Sequence, residues 1–222
     1  MTSLKDESFS ENEIIDPFWI IRYLENHVPR EKVSSELLVE RLKRMTKRVK
    51  GVKISFYKTR SAKDSFVVNG FFDKEQRRSI EIQICSSAFK KKLNLTKKQH
   101  RSILYEIADA LCHESIHRYQ YKFKDHSDEA FKSGTMDQLY YGDPDEMFCF
   151  SVNIAHNLYR QYGIKSLEKL QSVKPLLKFD PYLSDYYSIF YNQPQFRKML
   201  KMIYQNIIAI DQGKILYRNL YL

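Results

Sequence analysis

Between residues 52 and 121 the apolar residues change their period, and this change constrains the fold more than any other feature of the chain. Three short runs come first, at 52–57, 66–72 and 79–84. In the first, Val52, Ile54 and Phe56 fall on one side; in the third, Ile80, Ile82 and Ile84 alternate with Glu81 and Gln83. Period-two alternation rich in β-branched residues marks half-buried strands. Polar, turn-like segments at 61–65 and 73–76 join the runs, so the expectation is a small antiparallel sheet. After Thr96, a candidate cap, the period becomes helical. Ile103, Leu104, Ile107, Leu111 and Ile116 line one face of a helix predicted over 97–121.

Helices are predicted on both sides of this region. Asp16-Pro17 suits a helix start, with Asp as cap and Pro in the first turn. A second helix begins at Ser34 or Ser35, carries Leu37, Leu38, Leu42 and Met45, and stops before Gly51. A polar segment follows at 122–142. Asp143-Pro144-Asp145-Glu146 then opens a helix that Gly163 ends. Further helices are expected around 166–172, 182–191 and 194–211. With only 6 Gly and 6 Pro in 222 residues, no linker or repeat divides the chain. The expectation is an α+β protein, mostly helical, with residues 1–16 as a mobile acidic tail and 17–222 as one domain.

The charge is uneven. Residues 41–101 hold 19 Lys/Arg against 4 Asp/Glu, a local +15 within a chain of net +10. A basic region of this kind is a candidate surface for nucleic acid or another acidic partner, but a solvated face is the favoured reading because no nucleic-acid motif accompanies it. Cys85, Cys112 and Cys149 form no CxxC and no even set. They read as small buried apolar residues in a reducing compartment. The first 16 residues are polar and acidic, unlike a secretory signal. No apolar run approaches a membrane span. A cytoplasmic protein is expected.

His113-Glu114-Ser115-Ile116-His117 lies inside the predicted long helix. Histidines four apart stand one above the other on a helix face, so two imidazoles can share one ion. Zinc accepts such ligands tetrahedrally. It lowers the pKa of a bound water, and Glu114 beside the first histidine can take that water's proton as general base. A catalytic zinc needs a third protein ligand and an open position. Downstream candidates are His126, Asp128, Glu129, Asp137, Asp143, Asp145, Glu146 and His156. Positions 120 and 123 are Gln and Phe, so the long histidine-rich continuation of metzincins is missing. Glu146 is favoured because a first-turn position fixes its backbone. The same residue also fits a capping-box start, which needs no metal. Asn153 and Asn157, seven and eleven residues on, are candidates to orient ligands.

HESIH followed by YYGDPDEMFCFSVNIAHNL resembles the gluzincin branch of the zincin metallopeptidases. It is similar in particular to small metallopeptidase-like proteins of bacteriophages, and more distantly to ImmA/IrrE-type peptidases. The likeness covers roughly residues 79–162. It implies a zincin-like domain, with His113, His117 and Glu146 as zinc ligands and Glu114 as base. It also implies a protein or peptide substrate, and a host cytoplasm or virion as location. The chain departs from that pattern after the glutamate, where Phe148, Cys149 and Phe150 stand in place of small residues. Stabilising the tetrahedral oxyanion calls for a further donor, for which Tyr140, Tyr141, Tyr186, Tyr187 and Tyr191 are candidates. The alternative is a zincin fold without turnover, serving as a structural or nucleic-acid-binding protein through residues 41–101.

Overall fold

The structure, a computed structural model, describes residues 17–27, 35–47, 49, 51–58, 66–73, 79–86, 97–123 and 134–213. The expected tail at 1–16, the caps at Asp16 and Thr96, the turn at 61–65 and the candidate ligands His126, Asp128 and Glu129 lie outside these residues. The chain divides into two compact units, Met1–Lys124 and Asp125–Leu222. Each has its own apolar core.

The first unit contains helices α1 (Pro17–His27) and α2 (Ser35–Thr46), strands β1 (Val52–Lys58), β2 (Phe66–Asp73) and β3 (Ser79–Ser86), and the long helix α3 (Lys97–Phe123). The α+β class is as expected. The sheet, however, is mixed rather than wholly antiparallel. Its order is β1-β3-β2, with β1 parallel and β2 antiparallel to the central β3. Alternation reports which face a residue occupies and carries no information about strand direction.

One face of the sheet carries Val52, Ile54 and Phe56 of β1, Ile80, Ile82 and Ile84 of β3, and Val68, Gly70 and Phe72 of β2, in matched register. The three isoleucines of β3 are fully buried, which contributes roughly 1.5–3 kcal/mol each. Ile103, Leu104, Ile107, Ala108 and Leu111 of α3 join them in one core with Trp19, Ile20 and Leu24 of α1 and Leu38, Leu42 and Met45 of α2. Helix α3 packs against β2, β3 and α1. Phe72 meets Tyr121 edge-on, with ring centroids 5.9 Å apart. The opposite sheet face leaves Tyr57, Val67 and Phe71 exposed.

The second unit comprises α4 (Met136–Gly142), α5 (Pro144–Tyr162), α6 (Ser166–Lys169), α7 (Pro181–Phe190) and α8 (Pro194–Asp211), with short 3-10 turns at Gly163–Lys165 and Leu176–Lys178. Helix α4 replaces part of the polar segment expected at 122–142. It is held by a capping box in which Thr135 Oγ1 accepts from the Gln138 amide and the Gln138 side chain accepts from the Thr135 amide. Helix α5 is central and packs against α7 and α8. Ile154, Ala155 and Leu158 meet Leu183 and Phe190 from α7 and Met199 and Ile203 from α8. Gly163 ends α5 at a φ of 59°, where a side chain would be strained. Polar ties fix the packing. Buried Asn206 donates to Ser151 Oγ at 2.9 Å. Asp180 caps α7 by accepting from the Leu183 amide at 2.9 Å, and also accepts from Asn157 at 3.1 Å.

Candidate metal centre

Helix α3 is buried on every side over 111–116. Its polar residues Asp109, His113, Glu114, Arg118 and Gln120 are nonetheless almost wholly enclosed. Enclosing a polar group without a partner costs about 1–3 kcal/mol in proteins. Such a run of enclosed polar residues has to find its partners within the fold, which makes this stretch of α3 the candidate site.

His113 and His117 do as their spacing predicts. Their Nε2 atoms face each other at 3.1 Å, with ring centroids 4.8 Å apart. Two nitrogens bound tetrahedrally to zinc at 2.0–2.1 Å would stand about 3.3 Å apart. The pair thus has the separation of two ligands of one ion and can hold a metal. His117 has an orienting partner as well. Its Nδ1 lies 3.1 Å from Gln120 Oε1. An amide oxygen only accepts, so in the tautomer that satisfies this bond the proton is on Nδ1 and Nε2 has its lone pair for a metal. Sequence reasoning noted Gln120 only as a missing metzincin position. The spacing of three residues from His117, one helical turn, is the signal that could have found it.

Glu114 is 9% exposed. Its side chain lies over Gly70 on the inner face of β2. A Cβ at position 70 would come within 2.7 Å of both Glu114 Cγ and Oε1. Sequence reasoning did not single out Gly70.

On α5, Glu146 occupies the first turn and is half-buried. The cap is Asp143, whose Oδ1 accepts from the amides of Asp145 and Glu146 at 2.8 and 3.3 Å. The amide that a capping-box glutamate would hold, that of Asp143, donates instead to the Tyr140 carbonyl at 3.2 Å. The local backbone therefore does not require the Glu146 carboxylate as a cap. Cys149 follows one turn later and is fully buried, and Asn153 follows on the same side at 2% exposure. Asn157 has another task. It donates to Asp180 and accepts from Arg160 at 3.0 Å.

The tyrosine candidates separate by environment. Tyr186 is wholly enclosed and donates to the Tyr141 carbonyl at 2.9 Å. Burial, then the Glu146 charge, hold its hydroxyl far above the usual phenol range. It is a packing residue with a satisfied hydroxyl. Tyr141 donates to Asp185 at 3.4 Å, and burial followed by the Asp185 charge pushes its pKa up to about 12. Tyr140 is about half exposed at 49% and stacks edge-on against Tyr141. Tyr191 is exposed at 54%, and Tyr187 packs against Phe196.

No family model, curated protein or solved structure matches this chain. Among the described residues, no helix is long and apolar enough to cross a membrane.

Proposed function

We propose that the chain is a zinc-dependent peptidase acting on protein or peptide substrates in a reducing, cytoplasmic setting. The observation that carries this reading is the pair of Nε2 atoms 3.1 Å apart on α3 with the enclosed Glu114 between them in sequence. His113 and His117 would hold the ion. Glu146 is the proposed third ligand, and Cys149 on the same helix is the competing donor, since a thiolate also binds zinc. When bound, zinc supplies Lewis acidity that acidifies water and polarises a carbonyl. Glu114 receives the proton of the attacking water at its carboxylate and returns it to the leaving amine. His113 and Glu114 are nearly enclosed, and low water access strengthens charge interactions at such groups. Tyr140 is the proposed oxyanion donor, because it lies six residues before Glu146 and is half exposed, whereas Tyr186 is enclosed and Tyr141 is bonded to Asp185.

The test is zinc analysis and peptide-library cleavage of the wild type and of Glu114→Gln. The expected result is about one zinc per chain in both, with cleavage lost in the variant. Comparing Glu146→Ala with Cys149→Ala identifies the third ligand: the true one lowers zinc content. A wild type that binds zinc but cleaves nothing across the library would overturn the peptidase reading.

A second reading is favoured by one observation. The outer sheet face presents Tyr57, Val67 and Phe71, each between 46% and 48% exposed, in the most basic part of the chain. Exposed aromatic rings are stacking platforms for single-stranded nucleic acid; on this face Lys53 and Glu81 stand 4.0 Å apart, so the positive excess lies in the surrounding sequence rather than on the face itself. A catalytically silent protein that binds nucleic acid is the alternative.

A further inference from the structure

Gly70 stands in the interior of β2, opposite Ile82 on β3. Glycine weakens a strand, because it has no side chain to pack and loses more freedom on folding than other residues. Two ordinary reasons for a glycine do not apply here. Position 70 is continuous strand with regular pairing on both sides, so it is no turn or bulge. Its φ is not positive either, unlike those of Gly51, Gly134, Gly163 and Gly213. Its neighbours on the inner face, Val68 and Phe72, carry full side chains packed against the core. What remains is space. The Glu114 side chain fills the notch, and an added Cβ would lie 2.7 Å from Cγ, 2.7 Å from Oε1 and 3.1 Å from Cδ.

We propose that Gly70 is a positioning residue for the base. Its missing side chain makes the seat on β2 in which the Glu114 carboxylate is held. This rests on Glu114 being the base, yet the seat itself can be tested without turnover. A methyl at 70 meets the Glu114 side chain, from its stem carbon Cγ to Oε1, and no backbone atom is among the three nearest, so Gly70→Ala is expected to drive the whole Glu114 side chain off its seat. The histidines are untouched by the change, so zinc binding should persist.

The experiment is a double-mutant cycle of Gly70→Ala and Glu114→Ala, read by thermal melting, zinc content and cleavage kinetics. Glu114→Ala removes all three atoms that the new methyl would crowd. Gly70→Ala should therefore lower Tm in the wild-type background and leave it unchanged, or raise it, in the Glu114→Ala background. If Gly70→Ala alone fails to fold, recovery of a folded chain in the double variant is the same result. Zinc content should stay at about one per chain. The kcat should fall on the order of 100-fold or more, as for loss of general-base catalysis, with KM little changed. An equal Tm loss in both backgrounds would overturn the seat, as would full kcat in Gly70→Ala. A wild type without cleavage would remove the catalytic consequence alone, and the melting cycle would still decide whether Gly70 seats Glu114.

Discussion

A histidine offers one ring nitrogen to a metal only when the proton sits on the other. For His117 that choice is made by Gln120, whose Oε1 accepts from Nδ1 at 3.1 Å. Gln120 is 2% exposed, so water is a poor substitute. Gln120→Leu keeps the volume and removes the acceptor. Zinc affinity is expected to fall about 10- to 100-fold, the usual effect of removing a ligand's orienting partner, when measured by competition with a chromophoric chelator. Unchanged affinity would show that the tautomer is set elsewhere. The facing of His113 and His117 was legible in the sequence because a spacing of four converts directly into a shared helix face. Gly70 was not. Its contact joins residues 44 positions apart, and only the docking of α3 on β2 brings them together.

At the scale of elements, α5 joins the core of the second unit to its acid sensitivity. His156 is enclosed within it. Burial first, and the Arg160 charge second, lower its pKa from 6.5 to about 3. A group whose folded pKa is depressed gives its full stabilisation above the unfolded value and loses it as pH falls towards the folded one. For His156 the window runs from 6.5 down to about 3, and the loss reaches about 2 kcal/mol by pH 5. Urea midpoints at pH 7 and pH 5 should differ accordingly, and His156→Gln should flatten the difference. An unaltered slope in the variant would assign the acid loss to other groups. The helical period of α3 was readable in the sequence, and so were the limits of α5 from its Asp143-Pro144 start and Gly163 end. Helix α4 escaped because residues 122–142 look uniformly polar, although its Thr135-x-x-Gln138 box was present in the sequence. The direction of β1 escaped for a deeper reason: parallel and antiparallel partners bury the same side chains.

For the whole molecule, the charge asymmetry decides between the two functional readings. Residues 41–101 carry a local +15. If they bind nucleic acid, affinity for a single-stranded oligonucleotide should fall steeply between 50 and 200 mM salt, as counterion release requires. Replacing Tyr57 and Phe71 by alanine should weaken it further, by about 1–3 kcal/mol per stacked base. His113→Ala should leave it unaltered. No binding at low salt would remove that reading and leave the basic region as a solvated surface.

The strand order also has a consequence for how the protein is made. Among the described residues, strands β1 and β2 pair with β3 and not with each other. A ribosome releases them in sequence, so two strands emerge without a partner, and the sheet gains its first ladder only when residues 79–86 leave the exit tunnel. Helix α3, with the two histidines, is the next element to appear. The seat for Glu114 is thus completed by the strand that inserts between two earlier ones, just before the helix that will occupy it is synthesised.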